Sequence, residues 1–310
     1  MMRFGYNQPL YLLPFDHRVS YLTEIFHLDP PLTPDQRTAV ADSKEVIYDG
    51  FRQAVGLGVP IASAGVLVDE EFGADILRDA ATKGYATVLP TEKSGSDEFE
   101  FEYGPAFASH IEAFKPTFAK ALVRYNPEGD PALNQRQTAR LKQLSDYCRS
   151  VGQRFMFELL VPPTAAQRNR LEAFDKTYDR LLRPALVLQA IRTLQDAGVE
   201  PDVWKVEGLD RRQDCEHVVA TARRGGRNDV GCIVLGRDAE RDRVLHWLET
   251  AASVPGFIGF AIGRSTFRDA VAGYVARQVT RQEATWLIAR RYREWTMVFE
   301  QGRRSRAGAA

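Results

Sequence analysis

Eight short apolar runs alternate with amphipathic segments along this 310-residue chain, and that alternation restricts the fold more than any other feature. The runs are PLYLLPF (9–15), VPIASAGVLV (59–68), YATVLPT (85–91), FAKALVRY (118–125), RFMFELLV (154–161), DVWKVEGL (202–209), VGCIVLG (230–236) and GFIGFAIG (256–263). The segments 41–58, 70–84, 134–152, 179–198, 212–226 and 240–254 instead repeat apolar residues at three- and four-residue spacing, as helices with one buried face do. Alternating strand and helix predicts a parallel sheet. Eight such units in about 280 residues fit a closed (β/α)8 TIM barrel. A doubly wound open sheet is the competing architecture, but no GxGxxG follows the first run. The third unit is irregular, with little helix in 94–107, and 163–178 reads as an inserted loop or extra helix. An additional C-terminal helix is expected over 280–302. One domain therefore spans 1–302, and RRSRAGAA (303–310) reads as a disordered tail.

Charge and cysteine content exclude several functions. Lys+Arg and Asp+Glu both number 41, so no global basic field invites nucleic acid. No apolar run approaches the length needed to span a bilayer, and the first residues carry no signal-peptide pattern. Three cysteines without a CxxC argue against a disulfide framework. The expectation is a cytoplasmic protein that acts on a small molecule.

Catalytic groups of such barrels sit at the C-terminal ends of the strands, so the polar residues there define the candidate site. Side chains alternate along a strand with period two. Lys120 shares a face with Arg124, Glu158 with Met156, Lys205 with Val203, and Asp16 with Arg18. If these faces point into the lumen, Asp16, Lys120, Glu158 and Lys205 converge. Buried charges are costly unless paired or functional. The alternative is a structural salt-bridge network, but four ionisable groups at strand ends favour an active site. A lysine such as Lys205, beside a second cation such as Lys120, suits nucleophilic Schiff-base chemistry on a carbonyl. Glu158 or Asp16 would then shuttle protons.

The last two units suggest a phosphate handle. LGRDAER (235–241) and IGRSTFRDA (262–270) place Gly236-Arg237 and Gly263-Arg264 where barrels of this kind often hold phosphate. The alternative is turn glycine with surface arginine. A metal-dependent reaction would need clustered ligands. Of the five histidines only His17 falls at a strand end, and there is no HxxH or HxxxH pair. No metal and no cofactor are expected.

These residues resemble a known family. FDHR (15–18), TEKSG (91–95), KALVRYNPEGD (120–130), FELLVPP (157–163), WKVEGL (204–209) and GRSTF (263–267) together resemble class I aldolases of the tagatose-bisphosphate aldolase group. They are most similar to the aldolase-type domain attached to many bacterial 5-dehydro-2-deoxygluconokinases. The resemblance implies a TIM barrel that cleaves 2-deoxy-5-keto-D-gluconate 6-phosphate to dihydroxyacetone phosphate and malonate semialdehyde, in myo-inositol catabolism. By position it implies Lys205 as the Schiff-base lysine, Glu158 as acid/base, and Asp16 and Lys120 as polar partners. It places Gly263 and Arg264 at the phosphate. His17, Arg18, Glu92, Lys93 and Arg124 complete the expected substrate contacts, with Gly236 and Arg237. The tagatose enzymes usually carry glutamine where His17 stands and tend to carry tyrosine where Arg124 stands. A cation at Arg124 suits a substrate carboxylate.

Two rivals remain at this point. One is an aldolase for another sugar phosphate, such as tagatose bisphosphate or a sulfosugar phosphate. The other is a non-catalytic sugar-phosphate sensor. The apolar residues of 280–302, among them Trp286, Trp295 and Met297, serve either barrel closure or a homo-oligomer interface.

Overall fold

In the computed structural model, which describes residues 4–170 and 178–307, all eight apolar runs become parallel strands. They are β1 (Leu10–Pro14), β2 (Ala64–Leu67), β3 (Ala86–Pro90), β4 (Phe118–Arg124), β5 (Arg154–Leu160), β6 (Val203–Glu207), β7 (Gly231–Leu235) and β8 (Phe257–Ala261). Each pairs with its sequence neighbour, and β1 pairs with β8, closing the expected (β/α)8 TIM barrel. β2 is shorter than its apolar run because Ile61–Ser63 form a 3-10 turn instead.

Helices fill the connections: α1 (Val19–Tyr21), α2 (Pro34–Gly56), α3 (Glu70–Thr82), α4 (Phe107–Phe114), α5 (Pro131–Val151), α6 (Ala165–Arg170), α7 (Arg183–Asp196), α8 (Arg212–Ala222), α9 (Arg241–Ala252), α10 (Arg264–Val275) and α11 (Arg281–Ala307). The short α4 is the irregular third unit. The middle of the 163–178 insertion, residues 171–177, lies outside the described residues. α2 begins seven residues before the periodic pattern suggested. The reason is its cap: Thr33 accepts from the Gln36 N–H, the Gln36 side chain accepts from the Thr33 N–H, and Pro34 opens the first turn. The C-terminal helix likewise runs past residue 302, where a disordered tail was expected, and continues through Ala307. Arg303 anchors this extension by donating to the Tyr11 hydroxyl at 3.0 Å.

The lumen is apolar below and charged above. Leu10, Leu12, Leu67, Val88, Phe118, Met156, Val203 and Ile233 form a buried inner cluster, with Tyr6 packed against it. A larger shell between barrel and helices holds Trp204, Trp247 and Trp295. α11 seals this shell on the β1 side. The Tyr292 hydroxyl donates to the Tyr11 carbonyl at 2.6 Å, and Trp295 Nε1 donates to Thr266 Oγ1 at 3.0 Å. On its outer side Trp286, Leu287 and Met297 stay exposed. No helix among the described residues is long and apolar enough to cross a membrane.

The β1–β8 seam depends on a missing side chain. A Cβ built on Gly259 would lie 1.7 Å from the Leu10 carbonyl oxygen, which is backbone and cannot step aside. Gly259→Ala is therefore expected to cost about 1–3 kcal/mol or more, seen as a lower urea midpoint with an unchanged slope. Wild-type stability in that variant would show that the seam is looser than described.

Candidate active site

Strand register brings the four charged residues together. Glu158 is the direct cross-strand partner of Lys205, and Leu122 of Glu158. Lys120 pairs with Met156, one inward position below Glu158. With period two, Lys120, Glu158 and Lys205 all project into the lumen, above Phe118, Met156 and Val203. The inward faces are those the alternation predicts.

The contacts are short and buried. Glu158 lies between the two lysines, Oε1 at 2.7 Å from Lys205 Nζ and Oε2 at 2.9 Å from Lys120 Nζ. Lys120 Nζ also reaches Asp16 Oδ2 at 2.7 Å and Glu92 Oε1 at 2.6 Å. Lys205 is 3% exposed and Lys120 1%. The sequence argument set Lys120 beside Lys205 as a neighbouring cation. The structure places the Glu158 carboxylate between them.

Three carboxylates around two ammoniums leave one negative charge in excess. Burial pushes every carboxyl up, but the outcomes differ. For Asp16 the Lys120 ammonium, helped by Lys205, outweighs burial and holds it well below the usual range. Lys120 and Lys205 also outweigh burial at Glu158 and lower it. Glu92 ends raised, because burial and repulsion from Asp16 exceed the pull of Lys120 and Arg18. Lys120 is raised well above an ordinary lysine, since Asp16, Glu158 and Glu92 outweigh its desolvation. Lys120 is thus a fixed cation, Glu158 and Asp16 are ionised, and Glu92 is the member that most readily takes a proton.

These groups floor a pocket of about 140 Å³. The turn after β1 supplies Asp16, His17, Arg18 and Ser20, and the excursion after β3 supplies Lys93, Ser94, Gly95 and Ser96. Arg124 stands at the rim, where it donates to the Ser96 carbonyl at 3.2 Å. An isolated bridge between Glu92 and Phe101 closes the excursion into a loop over the pocket. Glu98 ties that loop to α5 through Arg136 and Arg140.

The other expected contacts divide. Arg18 lines the pocket, but its guanidinium is committed to Glu102 at 2.6 Å and to the Glu92 carbonyl at 2.7 Å. It braces the loop. Lys93 is exposed and only 3.8 Å from Glu100. Arg237 pairs with Asp179 at 2.7 Å and Glu207 at 3.0 Å. Arg264 pairs with Glu24 at 3.2 Å and Asp238 at 3.6 Å. Neither arginine is among the residues that wall the Lys205 pocket. Arg237 and Asp238 both adopt left-handed backbone, φ 51° and 57°, a costly conformation for non-glycine residues. Gly263 caps α10, and a Cβ there would come within 2.3 Å of the Pro14 carbonyl oxygen. Ser20 in α1 and Ser94 and Ser96 in the loop after β3 were not singled out in the sequence, because a lone serine carries no distinguishing pattern. Among the described residues, no group of three or more His, Cys, Asp or Glu could hold a metal ion.

With this geometry in place, the comparisons bear on identity. Residues 3–303 match a protein family described as "Uncharacterized protein conserved in bacteria (DUF2090)". The chain belongs to that family. No curated protein matches the sequence. The fold is shared with solved aldolases at low identity. The Plasmodium falciparum fructose-bisphosphate aldolase superposes with a TM-score of 0.63 at 12% identity, over 93% of this chain and 89% of that one. The Slackia heliotrinireducens fructose-bisphosphate aldolase gives 0.56 at 13%, over 90% and 85%. A Schiff-base-forming fructose-1,6-bisphosphate aldolase gives 0.54 at 13%, over 89% and 96%. These likenesses establish the barrel architecture.

His17 gives the site a pH signature. Burial holds its imidazole neutral and pushes its pKa down from 6.5 to about 4, although Asp16 opposes this. The folded state therefore resists a proton that the unfolded chain accepts. The stability held by a neutral His17 is full above about pH 6.5 and is lost as pH falls toward 4. Between pH 7 and about pH 4.5, wild type should lose on the order of 2–3 kcal/mol more than His17→Asn. Urea unfolding at the two pH values measures this, and equal losses in both proteins would remove the half-buried neutral imidazole.

Proposed function

We propose that this protein is a class I aldolase in which Lys205 forms a Schiff base with the ketone of a phosphorylated keto sugar acid. The substrate we favour is 2-deoxy-5-keto-D-gluconate 6-phosphate, released as dihydroxyacetone phosphate and malonate semialdehyde. The observation that carries this reading is the Glu158 carboxylate bridging Lys205 and Lys120 at the floor of a pocket.

Attack on a carbonyl needs the neutral amine. Glu158 Oε1, 2.7 Å away, accepts the Lys205 proton. Addition then gives a carbinolamine, and Glu158 returns the proton as that intermediate loses water to form an iminium. Glu158, a carboxylate again, removes the proton from the hydroxyl on the bond to be broken. The bond's electron pair moves into the iminium, which leaves an enamine and a free aldehyde. The proton that Glu158 removed passes on through Lys120, which gives one of its own protons to Asp16 as it accepts it, and Asp16 delivers that proton to the enamine carbon. Water then hydrolyses the iminium, freeing the ketone product and regenerating Lys205. Throughout, Lys120 stays charged and stabilises oxygen anions in a low-dielectric site.

Charge at the rim supports the substrate class. The loops after β7 and β8 offer glycines and the N-terminus of α10, a setting that favours phosphate. There, Arg237 and Arg264 exchange carboxylate partners for the phosphate. Arg124 lies on the other side, on the inward face of β4 four residues beyond Lys120. A carboxylate at the substrate's far end meets it there. A phosphate-ended aldehyde would fit the same cation, so the aldehyde half distinguishes this substrate from a sugar bisphosphate.

Two variants test the proposal. Lys205→Ala should abolish cleavage of the keto acid phosphate while retaining the wild-type circular dichroism spectrum. Turnover surviving in that variant would exclude Lys205 as the nucleophile. Arg124→Leu should raise KM for malonate semialdehyde in the condensation direction by about tenfold to a hundredfold, the worth of a charge-assisted hydrogen bond. The KM for dihydroxyacetone phosphate should stay within about twofold. Equal effects on both would move the carboxylate end elsewhere.

A further inference from the structure

The buried pair Lys44–Asp69 has no part in the chemistry above, yet it touches the turn that carries Asp16. Both side chains are fully buried. Lys44 comes from the apolar face of α2, between Val40 and Ile47. Its ammonium pairs with Asp69 Oδ1 and donates to the His17 carbonyl at 3.1 Å. The rings of Tyr21 and Phe72 lie 5.3 and 5.5 Å from it. Asp69 spends its second oxygen on the Phe72 N–H, capping α3. The adjacent Ser43 Oγ hydrogen-bonds the Tyr21 hydroxyl at 2.8 Å. Two consecutive residues of α2 thus hold the turn after β1 at His17 and the end of α1 at Tyr21.

A fully buried ion pair is a poor way to gain stability, since apolar replacements are often neutral or better. What this pair supplies is a directed donor to one carbonyl, in the middle of the turn that aims Asp16 at Lys120. We propose that Lys44 is a positioning residue of the Lys205 site: its ammonium fixes the His17 carbonyl and thereby presents Asp16 to Lys120. This inference rests on the aldolase reading, in which Asp16 relays the proton to the enamine carbon. It separates two events at one pocket. Schiff-base formation needs Lys205 and Glu158, which stand on strands that Lys44 does not touch. Proton transfer at carbon needs Asp16 in place.

The test uses the full chain and dihydroxyacetone phosphate as the probe. Lys44→Met alone would strand a buried carboxylate and risk unfolding. The variant is therefore Lys44→Met with Asp69→Asn, which keeps a side-chain oxygen to cap α3. Intact mass after borohydride treatment reads Schiff-base formation. Deuterium uptake at the hydroxymethyl carbon, followed by NMR, reads proton transfer. The expected result is adduct yield within about twofold of wild type and exchange slowed tenfold or more, as misplacement by about an ångström produces. Exchange at the wild-type rate with normal adduct overturns the positioning role. So does a parallel fall of both readouts with a lowered melting temperature, which marks general damage. If the wild-type chain itself yields no adduct, the aldolase reading fails and this inference with it.

Discussion

One carboxylate between two ammoniums organises the upper half of this barrel. Glu158 binds Lys205 through one oxygen and Lys120 through the other, and each lysine is buried where a lone charge would be untenable. Removing Glu158 would leave two cations facing each other over an apolar floor. Asp16 and Glu92 then balance Lys120, and Arg18 braces the strand end that carries Glu92. The pocket loops follow from these pairings. Arg18 also holds Glu102, and Glu98 ties the loop after β3 to α5, so that loop lies over the cluster.

The same arrangement divides labour by environment. Two ammoniums share Glu158, and among the described residues Lys205 has no second ion-pair partner. Lys120 is clamped by three carboxylates and raised well above an ordinary lysine, so it is unsuited to nucleophilic attack and suited to holding a positive charge. Under the proposed mechanism Glu158, 2.7 Å from Lys205, is the acceptor for its proton. Like residues acquire unlike roles through the number of anions around them.

Much of this was legible in the sequence, for a specific reason. Strands of a parallel barrel are covered on both faces, so they read as continuous apolar runs. A lysine inside DVWKVEGL or FAKALVRY and a glutamate inside RFMFELLV stand out against that background, and period two gives their direction. Partners were less visible. That Glu92 joins Lys120 depends on the path of the β3 excursion, which carries no periodic signal. Arg237 and Arg264 were placed at phosphate loops by position, but Asp179, Glu207, Glu24 and Asp238 reach them only through the fold. Lys44 did leave a trace, a lysine within the apolar stripe of Val40, Ile47 and Phe51. Its partner lies 25 residues away, beyond any local pattern. The early start of α2 was written in Thr33, Pro34 and Gln36, which a reading by hydrophobic period alone passes over.

The central claim is that Lys205, and not Lys120, bonds to the substrate's ketone. Peptide mapping after borohydride reduction with dihydroxyacetone phosphate, in the presence of EDTA, addresses it most directly. The account predicts a reduced three-carbon phosphate adduct on the peptide that contains Lys205 and on no other lysine. An adduct on Lys120, or none in protein shown to be folded, would contradict it.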